Sequence, residues 1–388
     1  MIIGIPKEIL ANEHRVSATP KTVKKMIGDG HEVLVEQGAG ENSFYHDQDY
    51  LLAGATIIGD VRDIYVRSDL ILKVKEPQFN DYYQMHEIDM MHEGQIIITF
   101  LHPASPNNHQ MVMQLVEKGI TSLTLDGVPR ISRAQAMDAL SSMSACAGYK
   151  GVLIAANNIS KFIPMVGSAV GMIKPANVLV IGAGVAGLRA IATAKGLGAQ
   201  VYAADIRSEA NEQAKSLGAK VVDLGIPDKI AVSKDGKHAN ELPEKYIKIE
   251  RDSLLPFLRD ADIVILSALV FGKEAPILIT RDMLDAMKPG SYIVDISIDQ
   301  GGNCELTKAA EVFEYNNIKI DGTKNLPGLI PTSSTYMFSE NMYNLLNYVV
   351  VDNKLNLDLK DEIISSIVVS HNRKLIHDGT KEAMRKHK

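Results

Sequence analysis

Val178-Leu-Val-Ile-Gly182-Ala-Gly184-Val-Ala-Gly187, with Asp205 eighteen residues further on, decides how this chain is read. An apolar, β-branched run delivers the backbone into three glycines spaced G-x-G-x-x-G, and a helix-like segment, Leu188 to Leu197, follows. The first glycine makes a tight turn, the second lets the main chain approach a pyrophosphate, and the third packs the helix on the strand. The helix N-terminus then offers N–H groups and partial positive charge to the phosphates. A second strand, Gln200-Val-Tyr-Ala-Ala-Asp205, ends on an acid placed to accept hydrogen bonds from a ribose 2′-hydroxyl. A lone glycine triplet is a weak signal. With the strand before it, the helix after it and the acid on schedule, it reads as a dinucleotide-binding unit. Gly182, Gly184, Val185, Ala186 and Gly187 are its phosphate contacts and Asp205 its ribose contact. Asp205 repels a 2′-phosphate, so NAD is expected over NADP, although Arg207 close by offsets part of that repulsion.

Composition narrows the class. The 388 residues suit about two to three domains, and 46% apolar with 23% charged residues is ordinary for a globular protein. A net charge of −6 argues against a nucleic-acid-binding surface. Cys146 and Cys304 are too few for a disulfide framework and lack metal-ligand spacing. The N-terminus enters a strand at once, with no charged leader or cleavage site, and no apolar stretch reaches the length of a membrane span. A soluble cytoplasmic protein is expected, with no metal and no membrane insertion.

Residues 1 to about 129 alternate strands (Met1–Ile5, Glu32–Glu36, Leu70–Val74, Gln95–Phe100, Thr121–Leu125) with helical segments such as Thr19–Gly28 and Asn108–Lys118, the pattern of a parallel sheet. Ser132–Asn158 reads as one long connecting helix. The nucleotide unit follows, then a polar loop (Pro227–Glu244), a helix (Tyr246–Arg259) and the strands Asp262–Leu266 and Ser291–Asp295. After Gly301-Gly302 the chain is expected to return to the first domain. The predicted fold class is α/β, with two Rossmann-like domains built on parallel sheets. The nucleotide domain (residues 133–304) is inserted in a discontinuous first domain (1–132 plus 305–388), with a cleft between them.

Polar residues at the ends of these strands are the candidates for chemistry. Arg15 can clamp a substrate carboxylate, or is a surface arginine. Lys73 and Lys75, two apart after Leu70-Ile-Leu, share a face if the strand is regular, and either point to the ligand crevice or snorkel from an edge. His102 follows the apolar strand Ile96–Leu101 and is a candidate general acid and base, one of eleven histidines of which most are solvated or structural. Asp299, in Asp-Gln-Gly-Gly, reaches toward a nicotinamide or merely forms a turn. Arg130, Gln135 and Asp138 contact a nucleotide, or cap a helix.

Taken together, Gly4-Ile-Pro-Lys-Glu, Glu13-His-Arg-Val, Gln37-Gly-Ala-Gly-Glu and the glycine turn resemble the family that joins alanine dehydrogenase to the NAD-binding α subunit of proton-translocating transhydrogenase, nearly end to end. Arg15, Lys75 of Lys-Val-Lys-Glu-Pro, His102 of Phe-Leu-His and Asp299 match the dehydrogenase pattern. That resemblance implies a carboxylate grip by the arginine and lysine, and an acid–base pair in the histidine and aspartate. Asn325 then stands at the cofactor–substrate junction. Pro129-Arg-Ile-Ser-Arg-Ala-Gln-Ala-Met-Asp, Ile191–Gly198 and Gly301-Gly-Asn-Cys-Glu are similar instead to the transhydrogenase subunit. There Arg130, Gln135 and Asp138 hold the nicotinamide end of NAD against an NADP-binding partner. Ser144, Ala268 and Leu269 are further expected cofactor contacts. Transhydrogenase subunits have no amino-acid substrate and usually lack the lysine–histidine pair, while alanine dehydrogenases lack the Arg-Ile-Ser-Arg-Ala-Gln segment. The expected activity is an amino-acid dehydrogenase acting on an alanine-like substrate. The alternative is a soluble subunit passing hydride from NADH to NADP on another chain. Both branches self-associate, as dimers or hexamers.

Overall fold

Short runs of β-branched and leucine residues, separated by helices, build two mostly parallel sheets. The computed structural model describes residues 1–233, 239–270 and 274–386. The chain divides into two units, Met1–Met143 with Gly328–Lys388, and Ser144–Pro327.

The sheet of the first unit runs in the order Lys374–Leu375, Val368–His371, Thr121–Thr124, Ile96–Thr99, Leu70–Leu72, Ile2–Ile5, Glu32–Glu36, Thr56–Ile58. Six strands are parallel, and the C-terminal hairpin joins antiparallel at Thr121–Thr124. Leu70–Leu72 and Ile96–Thr99 are buried along their whole length, as parallel strands covered on both faces must be. Ile64, Ile71, Ile97, Val112 and Leu115 form the centre of the core on one face. From Ile2–Ile5 the chain winds outward to Thr56–Ile58, then returns to Leu70–Leu72 on the other side. The order therefore reverses beside Ile2–Ile5, and in open α/β sheets ligands gather beyond the strand ends at such a reversal.

The second unit repeats this logic. Its order is Lys220–Val221, Gln200–Ala204, Asn177–Ile181, Ile263–Leu266, Tyr292–Asp295, Ile318–Asp321, Val312–Tyr315, with only the last strand antiparallel. The reversal lies between Asn177–Ile181 and Ile263–Leu266. Leu179, Val264, Leu266, Ile293 and Leu258 anchor its core.

Three expectations are corrected here. The chain stays in the second unit to Pro327 instead of leaving after residue 304. Val312–Tyr315 and Ile318–Asp321 form a hairpin that extends the sheet, turned by Asn316-Asn317 with both φ left-handed as a type I′ turn requires. The helix expected over 132–158 is two elements, a 3-10 segment Ser132–Met137 and an α-helix Ala139–Asn158, divided at Asp138. The first unit runs on to Met143, inside that α-helix. Of the polar loop Pro227–Glu244, Asp228–Ala231 is helical, and residues 234–238 lie outside the described residues.

Candidate active site

In the second unit the glycine turn has the steric signature of its three roles. Gly182 has φ 90°, and a Cβ there would sit 2.6 Å from the backbone of Ser267 and Ala268. A Cβ on Gly187 would lie 1.8 Å from the carbonyl oxygen of Gly182, so the helix Val185–Gly196 rests on the turn itself. A Cβ on Gly184 would meet nothing within 4 Å. Open space thus stands in front of the one glycine expected to let a ligand close. Gly184 caps the helix without a side chain, leaving its first N–H groups to an anion. The neighbouring loop is tied in place. Ser267 Oγ donates to Gly182 O at 2.8 Å, and the Asn303 side chain accepts from Ala268 N and donates to Ala268 O, both at 2.9 Å. Leu269 beyond it is exposed. Ser144 is half-buried on the helix Ala139–Asn158, whose Gly148 would place a Cβ 2.0 Å from Ala186 O. A glycine turn, an open approach and an acid at the end of the next strand fit a dinucleotide.

Asp205 is buried and already engaged. Its Oδ2 accepts from Ala183 N at 2.8 Å, while Arg207 donates from Nε to Oδ1 at 3.0 Å and from Nη2 to Oδ2 at 2.9 Å. Arg207 therefore neutralises the acid it was expected only to temper. Glu250, which sequence reasoning missed, is buried within electrostatic reach of Asp205. Burial first, then the like charge of Asp205, pushes its carboxyl up to about 7. Asp299 is exposed, 3.5 Å from Lys324 Nζ, and the adjacent Asn325 has a left-handed φ of 55°.

The polar residues of the first unit follow the ends of its parallel strands. Arg15 is 3% exposed, and Glu13 holds it on one edge. Nε donates to Oε1 at 2.7 Å and Nη2 to Oε2 at 2.5 Å, while Nη1 lies 2.9 Å from Met143 Sδ. Burial works against the charge on Glu13, but the guanidinium prevails and keeps its carboxyl below the ordinary value. Arg15 is thus not a surface arginine.

The two lysines part company. The strand stops at Leu72, so the expected alternation ends before it reaches them. Lys73 is fully buried, 2.9 Å from Glu87 and 3.5 Å from Glu8, and Tyr65 adds a 2.8 Å hydrogen bond to Glu87. This is an internal ion cluster. Glu8, further from the cation, is pushed by burial up to about 7. Its Oε1 accepts from Val74 N at 2.6 Å and its Oε2 from Lys75 N at 3.4 Å, fixing the backbone that carries Lys75. Lys75 itself is half-buried, with its charge acting on both Glu13 and His102.

His102 has φ 45°, a left-handed conformation uncommon outside glycine. Its Nδ1 is 2.6 Å from Asp126 Oδ1, and the ring stacks on Phe100 with centroids 5.7 Å apart. Burial alone would lower the imidazole pKa, but Asp126 outweighs it and raises it above its ordinary value. Burial likewise opposes the charge on Asp126, yet His102 and Thr124 bring that carboxyl down to about 2. Asp126 was missed in sequence, although it follows a parallel strand just as His102 does. Lys75 and His102 thus follow neighbouring strands, and the charge of Lys75 reaches both His102 and Glu13, the partner of Arg15. Of the transhydrogenase-like segment, Arg130 and Gln135 are exposed. Asp138 bonds Ser141 N at 2.8 Å and Ser141 Oγ at 2.6 Å, the helix cap that was the other reading of this segment.

Comparisons with known proteins identify the family. The family described as "Alanine dehydrogenase/PNT, N-terminal domain" matches residues 4–147, and the one described as "Alanine dehydrogenase/PNT, C-terminal domain" matches residues 151–378. NAD(P) transhydrogenase subunit alpha of Haemophilus influenzae is 41% identical over 372 residues, covering 95% of this chain and 70% of that protein. Alanine dehydrogenase of Halomonas elongata is 34% identical over 343 residues, covering 86% and 84%. Among solved structures, a transhydrogenase from Sinorhizobium meliloti superposes with a TM-score of 0.82 at 35% identity, covering 97% of this chain and 99% of that one. The chain therefore belongs to the alanine dehydrogenase/PNT family of oxidoreductases.

Proposed function

We propose that this protein is an NAD-dependent dehydrogenase that interconverts an α-amino acid, alanine-like in size, with its 2-oxo acid and ammonium. One observation carries this reading. Lys75 acts electrostatically on both His102 and Glu13, the partner of the buried Arg15, and His102 is held in a left-handed turn by an ionised partner. A lysine and a histidine at these strand ends have no task in a site that handles only nucleotides, but together they recognise a carboxylate and move a proton.

In this reading the substrate carboxylate meets Arg15 from the Nη1 side, where the thioether of Met143 is a weak acceptor that a carboxylate outcompetes. Lys75 supplies the second positive charge. Gly182–Gly187, with Asp205 at the ribose, would hold NAD, which would supply the hydride acceptor for oxidation and the hydride donor for amination. His102 takes the proton from the attacking water in the oxidative direction and gives one to the departing oxygen in the reductive direction. Amination then consumes 2-oxo acid, ammonium, NADH and one proton, and yields amino acid, NAD and water. Asp299 and Asn325 are proposed to stand at the nicotinamide end of the cofactor. Asp205 would accept from the ribose 2′-hydroxyl while holding Arg207 away from a 2′-phosphate.

A second reading rests on the higher identity to the Haemophilus influenzae transhydrogenase subunit. In it Arg130, Gln135 and Asp138 present the nicotinamide of NADH to NADP on a partner chain. Oxidation of NADH by the purified chain alone, with ammonium and a panel of 2-oxo acids led by pyruvate and glyoxylate, separates the two. Turnover that is lost in both Lys75→Ala and His102→Ala, with NADH affinity kept, supports the dehydrogenase. Tight NADH binding without turnover overturns it in favour of the subunit.

A further inference from the structure

We propose that Asp126 is the positioning residue for His102: one carboxylate fixes the turn that carries the imidazole and also holds its Nδ1, reserving Nε2 for proton transfer. This rests on the reading of His102 as the acid and base.

The geometry divides the work between the two oxygens. Oδ2 accepts from His102 N at 2.8 Å and Leu101 N at 3.2 Å, and from Thr124 Oγ1 at 2.5 Å. Oδ1 is left for the imidazole at 2.6 Å. The left-handed residue immediately before Pro103 is thus pinned through its own N–H and its neighbour's. Asn108 Nδ2 (2.9 Å to Leu101 O) and Ser105 N (3.0 Å to His102 O) hold the carbonyl side. Strained backbone persists only where its surroundings over-determine it, and such places concentrate at functional sites. With Nδ1 committed to a carboxylate, neutral His102 must carry its proton on Nδ1 and leave Nε2 as the base. Protonated His102 then donates from Nε2.

Other charges face the pair. Lys75 opposes protonation of His102 and Glu76 favours it, and both are weaker than Asp126. His377, on the C-terminal side of the hairpin, feels Asp126 but is kept below its ordinary value by burial and so stays largely neutral.

The test is a ¹H–¹⁵N NMR titration of the histidine rings in the intact chain, with His102 identified by the signal lost in His102→Gln. Wild-type His102 should titrate above the ordinary histidine value and show the Nδ1–H tautomer when neutral. Asp126→Asn should lower its pKa by about one unit or more, the size expected for removing a charge at contact distance. Asp126→Glu should restore most of the shift. The rising or falling limb of kcat/KM in amination should move by the same amount, with NADH affinity unchanged. An Nε2–H tautomer in the wild type overturns the proposal, a result that needs no variant to fold. So does a His102 titration that Asp126→Asn leaves in place. Absent turnover with the raised titration intact would instead remove the amino-acid reading and leave the pair standing.

Discussion

With Asp126 brought down to about 2 and His102 raised above its ordinary value, their attraction stabilises the fold only where both are charged. The Asp126 share is present above about pH 4, the carboxyl's unfolded value, and is lost as pH falls toward its folded one. The His102 share is complete below about pH 6.5 and is lost as pH rises through its folded pKa. The stability difference between wild type and His102→Gln, measured by urea unfolding, should peak between those values and shrink on either side; a flat difference would contradict it. The imidazole is 40% exposed, so solvent screening keeps the peak small. The lysines give a sharper contrast. Lys73→Met leaves Glu87 and Glu8 buried without their cation and should cost about 3–5 kcal/mol. Lys75→Ala should change stability by under about 1 kcal/mol while abolishing amino-acid turnover. Sequence periodicity put these two residues on the same face. Their difference depends on where the strand stops and on Glu87, fourteen residues away along the chain, which no local pattern connects to Lys73.

At the scale of elements, the nucleotide turn was the most legible part of the chain because its constraints are local. Strand, glycines, helix and acid all lie within 29 residues, from Asn177 to Asp205. Its glycines can be told apart by substitution. Gly187→Ala drives a methyl group into the Gly182 carbonyl and should destabilise the second unit by about 1–3 kcal/mol or more, read as a fall in its melting temperature. Gly184→Ala meets no protein atom and has an ordinary φ, so its melting temperature should stay near wild type. Its methyl group would occupy the space proposed for the pyrophosphate, and NADH affinity should drop roughly tenfold or more, about 1.4 kcal/mol. Equal behaviour of the two variants would deny Gly184 its proposed role. The hairpins were less legible. The Asn316-Asn317 turn is a recognisable left-handed pair, but Glu314 and Tyr315 before it look like loop residues until Ile318–Asp321 pairs with Tyr292–Asp295. The same long-range dependence hid Thr56–Ile58, which pairs only with Glu32–Glu36.

Across the whole molecule, one design occurs twice: a parallel sheet whose order reverses beside its first strand, with polar residues at or next to that reversal. In the first unit Arg15 and Lys75 follow the two strands that flank the reversal and His102 follows the next strand, Ile96–Thr99; in the second the reversal carries the glycine turn and the Ala268 loop. A ligand that binds only the folded second unit must stabilise it by mass action, by about 2.7 kcal/mol at a hundredfold excess over Kd. Thermal unfolding with saturating NADH should therefore move upward, and NADPH should move it much less, because Asp205 accepts from a 2′-hydroxyl and holds Arg207 away from a 2′-phosphate. Asp205→Ala should reduce the NADH effect and narrow the gap to NADPH. Arg207, released from its 2.9 and 3.0 Å bonds to Asp205, becomes available to a phosphate in that variant. A double variant, Asp205→Ala with Arg207→Ala, should then lose the NADPH response that the single variant gains. No shift with either nucleotide would remove the dinucleotide reading of the second unit. Equal shifts in the wild type would keep that reading and remove only the role given to Asp205.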